Sequence, residues 1–222
     1  LANFPVIAAP SGLAIGGGYE VVAQTDYVAA HSNSVLGLVE PLVGLIPAGG
    51  GCKEMLRRWS NDPEAKEDPF YVSMKVFNIL GYASTTDSPS KSKTKKFLNE
   101  QDFMVMSRDR LIAEADKKIK SVLSTYIAPK EMKINLPGLK VMPLMLEILE
   151  NLFESNKIKE HGMIVGKKLG FMLSGGNTDI SQNLNEKQLL NLEREVFLEL
   201  IEIPLTQERI KHTLKTGKPL FN

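Results

Sequence analysis

Cysteine is nearly absent from this chain, which has only Cys52. A single cysteine cannot form a disulfide within the chain, so we expect a reducing, intracellular compartment and a cytoplasmic location. Long apolar runs are also missing, and no stretch approaches the roughly 20 residues that a membrane-spanning helix needs. The segment 1–5 lacks the basic and apolar regions of a signal peptide. We therefore predict neither a membrane span nor a secretory leader.

Basic side chains are absent from the first 52 residues, whose formally charged residues are Glu20, Asp26 and Glu40. The whole chain has 27 Lys and Arg and a formal net charge of +1, which does not suggest a nucleic-acid partner. An apolar, glycine-rich segment is normally buried, and buried carboxylates are almost always paired or used. Glu20 and Glu40 are therefore expected to contact distant partners, to contact each other, or to have shifted pKa values.

Two regions are predicted from charge and hydrophobic patterning, 1–60 and 61–222. In the first, apolar runs over 4–9 and 26–31 predict two short strands on either side of a glycine-rich loop and a short helix. A strand, helix and strand in this order imply a crossover and parallel pairing. The second region is predicted to be helical, so the fold class is α/β with mainly helical content.

Helices are predicted wherever apolar residues recur at helical spacing. These segments are 70–80, 102–126, 141–153, 162–173 and 186–203. Gly175 and Gly176 follow the fourth of them and are typical of a helix C-terminus. Asn185 and Gln188 have the spacing of a capping box at the start of the fifth, whose apolar stripe is interpreted as core or subunit interface. The polar segment 85–96 is interpreted as a solvated loop or a helix start, with a phosphate-binding patch as the alternative.

Several motifs with a known chemical role are missing. The spacing G-x-G-x-x-G of dinucleotide-binding sites does not occur, and neither does a P-loop, a G-x-S-x-G elbow or a zinc-ligand spacing. We therefore predict no metal and no dinucleotide site in this chain. The three histidines, His31, His161 and His212, lie far apart and are interpreted as structural or exposed.

A glycine triplet, 16–18, comes just before Glu20 at the start of a predicted helix. The first N–H groups of a helix have no internal acceptor, and glycine lets a ligand approach the backbone closely. Such a loop can donate hydrogen bonds to an oxyanion that forms on a thioester carbonyl, an effect typically worth about 10²–10³ in rate. The alternative is a tight turn that only packs the helix against a strand.

Glu20 and Glu40 can divide acid and base roles if both reach one substrate. In the addition of water to a conjugated C=C bond, one carboxylate activates the water and the other delivers a proton to the α-carbon. Proton transfer of this kind contributes roughly 10²–10⁴ in rate.

Three segments and one aspartate resemble the signature of the crotonase (enoyl-CoA hydratase/isomerase) superfamily. They are residues 5–9, 12–20 and 37–47, together with Asp26. The resemblance implies a partial crotonase spiral of ββα units followed by a helical C-terminal region. It also implies roles for individual residues. The acid/base pair would be Glu20 and Glu40, the oxyanion donor the Gly17 N–H, and the substrate-binding residues Leu13, Ala14, Gly16 and Ala48, the last helping to hold the water.

The rest of the chain is similar to a narrower group, the long 3-hydroxyacyl-CoA dehydrogenases that carry a crotonase module at their C-terminal end. The matching segments are 46–55, 174–177, 190–195 and 216–220. This resemblance implies fatty-acid β-oxidation with acyl-CoA thioesters as substrates. It implies no cofactor in this chain, because NAD would bind only to an absent dehydrogenase lobe.

The family has further crotonase residues before the strand at Pro5, including the second oxyanion donor and much of the coenzyme A loop. The chain is therefore expected to be a fragment whose partners are the absent N-terminal lobes, with a homo-oligomer as a further possibility. Three functions follow from these observations: an enoyl-CoA hydratase module, a crotonase-fold isomerase or thioester hydrolase, and a non-catalytic fragment. Because isomerases usually need one carboxylate, the pair favours hydration.

Overall fold

The computed structural model describes residues 2–222, which form two compact units. The first unit contains residues 2–38 and 85–131, and the second contains 39–84 and 132–222. Each unit therefore combines two segments that are distant in the sequence.

Helices are the main element of the chain, and short strands precede or connect them. The strands are β1 Ile7–Ala8, β2 Leu13–Ile15, β3 Tyr27–His31, β4 Val35–Gly37, β5 Thr85–Thr86, β6 Phe103–Val105, β7 Lys133–Asn135 and β8 Asn183–Asn185. The α-helices are α1 Gly17–Ala23, α2 Gly51–Ser60, α3 Tyr71–Gly81, α4 Pro89–Thr94, α5 Leu111–Val122, α6 Met142–Glu154, α7 Glu160–Leu173, α8 Glu186–Ile201 and α9 Pro204–Thr216. The 3₁₀ helices are Glu40–Val43, Pro63–Lys66, Arg108–Arg110 and Gly138–Val141. The predicted α/β class with mainly helical content is confirmed.

Two small sheets form the first unit. One sheet has the order β1, β3, β6, and both of its pairings are parallel, with Ile7 opposite Tyr27 and Ala29 opposite Phe103. In the other, β4 pairs in parallel with β2 and antiparallel with β5. The parallel pairing predicted for the strands on either side of the glycine-rich loop is thus confirmed for β1 and β3. Helix α1, which lies between them in the sequence, carries the chain from one end of the sheet back to the other.

The core of the first unit lies between the parallel sheet and α5. Ala29 and Val105 on the strands pack against Leu111 and Ala115 on the helix, and all four side chains are buried. The apolar spacing of α5 therefore serves to cover one face of this sheet.

In the second unit, α7 contacts α3, α6 and α8. Its approach to α6 is close, because a Cβ on Gly166 would lie 2.4 Å from Leu149 Cδ2. The hydroxyl of Ser73 on α3 donates a hydrogen bond to the carbonyl of Leu173 at 2.8 Å. The small residue on α7 and this buried hydrogen bond fix α7 against both neighbours.

The helix ends predicted from local motifs are confirmed. Helix α7 is followed by Gly175 and Gly176, which have φ angles of 87° and 67° that glycine adopts readily. At the start of α8, the side chain of Asn185 accepts from the amide of Gln188, and the Gln188 side chain accepts from the amide of Asn185, both at 2.9 Å. These two reciprocal bonds form the expected capping box.

The helix predicted over 102–126 is wrong in its first part, where β6 and a 3₁₀ helix precede α5. Asp102 accepts hydrogen bonds from the amides of Val28 and Asn99, at 2.8 and 2.6 Å, and so fixes the start of β6 beside β3. The elements that were not predicted include helix α9 and the short strands β2, β4, β5 and β8. Among the described residues, every helix is too short or too polar to cross a lipid bilayer.

Candidate active site

The glycine triplet forms the entrance to α1. Gly16 has φ 56° and ψ −133°, a backbone conformation that essentially only glycine adopts, and its amide donates to the carbonyl of Gly37 at 2.9 Å. No side chain caps the helix, and Gly17 and Gly18 are exposed. A ligand can therefore reach the backbone at this point.

Glu20 lies one turn after the triplet and is buried, with only 8% of its surface exposed. A Cβ on residue 17 would lie 4.0 Å from Glu20 Oε2. The structure thus brings the Glu20 carboxylate and the main chain of Gly17 together, as the sequence-based hypothesis requires.

Tyr19, which precedes Glu20, holds α1 in place. The Tyr19 hydroxyl donates to the carbonyl of Phe97 at 2.9 Å, and the two rings meet edge to face at 5.0 Å. On β2, before the triplet, Ala14 is buried and Leu13 is 73% exposed. The first unit therefore presents Leu13, Gly17 and the Glu20 carboxylate around one glycine-rich turn.

Glu40 begins the 3₁₀ helix of the second unit and is half-buried, with its Oε2 atom shielded from solvent. Pro41 follows it, and the turn closes through hydrogen bonds from the Gly44 amide to Pro41 O at 3.2 Å and from the Leu45 amide to Glu40 O at 3.1 Å. Gly44 has φ 82°, a left-handed conformation that suits glycine.

Helices α7 and α9 support this turn through a chain of hydrogen bonds. His161 Nε2 lies 2.8 Å from Thr206 Oγ1, and Thr206 Oγ1 donates to the carbonyl of Gly44 at 3.2 Å. Because the hydroxyl has one proton, we infer that His161 Nε2 carries the ring proton and that Nδ1 is unprotonated. Burial lowers the pKa of His161, and the positive charge of Arg209 lowers it further. The His161 side chain therefore supports the Glu40 turn, through Thr206, as a neutral imidazole.

The loop that carries Ala48 is held by Glu193 of α8. Glu193 is fully buried, and its carboxylate accepts from the amide of Gly50 at 2.9 Å and from the amide of Lys53 at 2.6 Å. Ala48 itself is half-buried, two residues before Gly50. Motif analysis did not assign this role to Glu193. The sequence does contain a signal for a buried role of Glu193. This residue lies four positions after Leu189, and therefore on the apolar face of α8, where a charged side chain is unexpected.

Buried charged side chains on α2, the helix that follows this loop, form ion pairs. Glu54 pairs with Arg58 at 2.9 Å and with Arg57, and Lys53 pairs with Glu186 at 2.8 Å. Burial by itself raises the pKa of Glu54, but the hydrogen bonds and charges of Arg57 and Arg58 outweigh burial and leave the pKa below its usual value. Glu54 is thus held in its ionised form.

The predicted site residues divide between the two units. Leu13, Ala14, Gly16, Gly17 and Glu20 belong to the first unit, and Glu40 and Ala48 belong to the second. Among residues 2–222, no three His, Cys, Asp or Glu side chains are grouped as metal ligands would be.

The family of enoyl-CoA hydratases/isomerases matches residues 2–67. The chain is 34% identical over 219 residues to a probable 3-hydroxyacyl-CoA dehydrogenase of Bacillus subtilis, an alignment that covers 98% of this chain and 27% of the relative. It is 30% identical over 210 residues to a putative fatty acid oxidation complex trifunctional enzyme of Rickettsia felis, covering 95% and 26%. Human mitochondrial methylglutaconyl-CoA hydratase is 46% identical over 59 residues, which are 26% of this chain and 17% of that protein.

Solved structures share the fold. An enoyl-CoA hydratase/isomerase from Pseudoalteromonas atlantica matches with a TM-score of 0.55 at 16% identity, covering 98% of this chain and 64% of that one. The carnitinyl-CoA hydratase from Mycobacterium avium matches with a TM-score of 0.54 at 18% identity, covering 98% and 62%. The chain spans about a quarter of the length of the two long relatives. The segment 2–67 is therefore similar to the enoyl-CoA hydratases/isomerases, and the chain shares the crotonase fold of these solved structures.

Proposed function

We propose that this chain contributes an enoyl-CoA hydratase module to fatty-acid β-oxidation, adding water to trans-2-enoyl-CoA thioesters. The observation that carries the proposal is the buried carboxylate of Glu20 beside the exposed main chain of Gly17. A carboxylate in this position can exchange a proton with a substrate that is held by the backbone of the same turn. The relatives named as hydratases and fatty-acid oxidation enzymes support this choice of reaction.

In the proposed reaction, Glu20 and Glu40 act as the acid/base pair. One carboxylate takes a proton from water as the water oxygen bonds to the β-carbon, and the other carboxyl group protonates the α-carbon. The thioester oxygen gains negative charge between these events, and the Gly17 N–H stabilises it by hydrogen bonding. The product is a 3-hydroxyacyl-CoA, so each proton and bond is accounted for without a redox cofactor.

The remaining site residues are proposed to bind the substrate. Leu13, Ala14 and Gly16 border the turn that would receive the thioester, and the amide of Ala48 would hold the water. Coenzyme A enters as part of the substrate. Because the chain spans 27% of its Bacillus relative, we propose that other parts of a longer polypeptide supply the second oxyanion donor and an NAD-dependent dehydrogenase activity.

The hydratase proposal is preferred over an isomerase or a thioester hydrolase. Migration of a double bond usually needs one carboxylate, and the resemblance to the hydratases implies two, Glu20 and Glu40. A third proposal remains specific to the 222-residue chain: it folds, but it becomes active only together with the rest of the longer polypeptide.

The test is hydration of crotonyl-CoA, followed by the loss of absorbance of the conjugated thioester. It is measured for the 222-residue chain and for the longer polypeptide that contains it. Glu20→Gln and Glu40→Gln should each lower kcat of the active form by roughly 10²–10⁴. Glu147→Gln, which changes an exposed glutamate on α6, is the matched control and should have no effect.

Two outcomes separate the proposals. Normal hydration by a longer polypeptide that carries both changes would exclude Glu20 and Glu40 as the catalytic pair. Activity of the longer polypeptide without activity of the 222-residue chain would support the third proposal.

A further inference from the structure

The turn that carries Glu40 depends on residues that are distant in the sequence but belong to the same unit. It is a 3₁₀ helix of four residues, Glu40–Val43, and no side chain caps its start. The hydrogen bonds of a 3₁₀ helix have poorer geometry than those of an α-helix, so a single turn of this kind is not rigid by itself. The position of the Glu40 carboxyl group therefore depends on what packs against the turn.

The far end of this turn is tied directly to Glu40. The Glu40 carbonyl accepts hydrogen bonds from the amides of Gly44 and Leu45, the latter at 3.1 Å. Gly44 is buried, and a Cβ at this position would lie 3.0 Å from His161 Nε2 and 3.1 Å from Thr206 Oγ1. A shift of Gly44 relative to these two side chains would therefore move the main chain of Glu40 as well.

Helix α9 holds both ends of the turn by hydrogen bonds. The Thr206 hydroxyl donates to the carbonyl of Gly44 at 3.2 Å. Arg209, three residues further along the helix, donates to the carbonyl of Pro41 at 3.4 Å. Thr206 is fully buried, so removing its hydroxyl would leave the Gly44 carbonyl without this donor in a place that water does not reach freely.

His161 determines the direction in which the Thr206 hydroxyl donates. The hydroxyl has one proton, and its two polar neighbours are Gly44 O and, at 2.8 Å, His161 Nε2. His161 Nδ1 is buried and has no hydrogen-bond partner among the described residues. A proton on Nδ1 would be a buried donor without an acceptor, which folded proteins rarely contain. The ring proton therefore lies on Nε2, and the hydroxyl donates to Gly44.

We propose that Thr206 and His161 are positioning residues for Glu40 in the hydration reaction. The Nε2–H of His161 directs the Thr206 hydroxyl at the Gly44 carbonyl, and this hydrogen bond fixes the turn that presents the Glu40 carboxyl group. Neither side chain has to contact the substrate. The inference rests on the proposed function, because it requires Glu40 to belong to the acid/base pair.

Thr206→Val tests the hydroxyl, since valine has a similar shape and has a methyl group in place of the hydroxyl. In the longer polypeptide, kcat for crotonyl-CoA hydration should fall by roughly tenfold with little change in KM, because a misplaced catalytic group loses rate steeply. Thr206→Ser restores the donor and should recover most of kcat. Thr216→Val is the matched control, since it removes an exposed hydroxyl of α9 that also donates to a carbonyl, and it should have no effect.

His161→Gln and His161→Leu test the ring proton. The amide nitrogen of glutamine can donate in place of Nε2, whereas leucine has no donor, so the glutamine variant should keep more of kcat. Equal losses for the two variants would show that the donor at this position does not matter. In the unchanged 222-residue chain, nitrogen NMR should find the His161 proton on Nε2, with the His161 signals identified by their absence from His161→Gln.

Double variants with Glu40→Gln separate this inference from the proposed function. If Thr206 acts through Glu40, Thr206→Val should lower kcat only where Glu40 is present. An equal loss in both backgrounds, or full activity of Thr206→Val when Glu40→Gln is impaired, would overturn the inference alone. Full activity of Glu40→Gln would instead reject the proposed role of Glu40, and the inference with it.

Circular dichroism checks the folding of each variant. If Thr206→Val does not fold, His161→Leu takes its place in the comparison with Glu40→Gln. The NMR measurement needs no functional variant, and a proton on His161 Nδ1 would overturn the inference whatever the kinetics show.

Discussion

The carboxylate of Glu193 accepts a hydrogen bond from the main-chain N–H of Lys53 at 2.6 Å, although 140 residues separate the two in the sequence. The same carboxylate accepts from the amide of Gly50. Helix α8 thereby supplies an acceptor to the N-terminus of α2, where the first N–H groups have no partner within the helix. The loop that carries Ala48 ends at this contact.

Glu193→Gln should destabilise the second unit and move this loop. An amide has one acceptor oxygen, so one of the two N–H groups loses its acceptor, and capping changes of this kind cost about 1–2 kcal/mol. We expect a lower midpoint of urea unfolding together with a lower kcat for crotonyl-CoA hydration.

The control for this change is Glu195→Gln, because Glu195 is two residues further along α8 and exposed. It should leave both quantities unchanged. An unfolding midpoint for Glu193→Gln equal to that of the control would mean that the carboxylate contributes nothing to the anchoring.

Gly17→Pro tests the proposed oxyanion donor. Gly17 is the first residue of α1, a position where proline is tolerated because its missing N–H has no acceptor in the helix. The substitution removes the one hydrogen atom that the mechanism uses. We expect kcat to fall by about 10²–10³, with a smaller change in KM.

Gly17→Ala is the matched control, since it keeps the N–H and adds a methyl group 4.0 Å from Glu20 Oε2. It should keep most of the activity. Similar losses for the alanine and proline variants would show that the backbone N–H at position 17 is not the donor.

Glu54 makes the stability of the second unit depend on pH. Its folded-state pKa lies below the ordinary value of 4.5, so the ionised form stabilises the fold above pH 4.5 and this contribution is lost as pH falls below that value. Glu54→Gln leaves Arg58 without its buried carboxylate and should cost about 3 kcal/mol at pH 7. Urea unfolding at pH 7, 5, 4 and 3 should show the gap between the two proteins narrowing only below about pH 4.5.

Asp116→Asn provides the comparison, since Asp116 pairs with Lys120 on the exposed face of α5. Exposed pairs of this spacing contribute roughly 0.3–0.5 kcal/mol, so this variant should unfold almost as the unchanged chain does. A pH-independent gap for Glu54→Gln would show that the carboxylate is not the titrating group.

Features that depend on neighbouring residues were predicted from the sequence. The Asn185–Gln188 capping box and the glycine stop after α7 each lie within one helical turn, so residue spacing alone specifies them. The parallel pairing of β1 and β3 followed from the helix between them. The crotonase fold followed from the resemblance of the first 60 residues.

Features that depend on distant residues were not predicted. The apolar spacing after residue 102 is compatible with a helix, but pairing of Phe103 with Ala29 on β3 makes it a strand. Glu193 could be placed on a helix, yet its acceptor role depends on Gly50 and Lys53, which the pattern of α8 does not specify. The role of Asp102 as an acceptor likewise depends on Val28, which is 74 residues away in the sequence. The assignment of Glu20, Glu40 and Gly17 to catalysis stays a prediction that the variants above address.

The hydrogen bond from Thr206 to Gly44 also constrains the order in which the protein folds during its synthesis. These residues are 162 positions apart, and translation runs from the N-terminus, so Gly44 leaves the ribosome long before Thr206 has been added. Contacts of such separation form late, because a long loop must close first. A nascent chain therefore holds Glu40 in an unsupported turn until α9 has been synthesised and can supply the hydroxyl of Thr206.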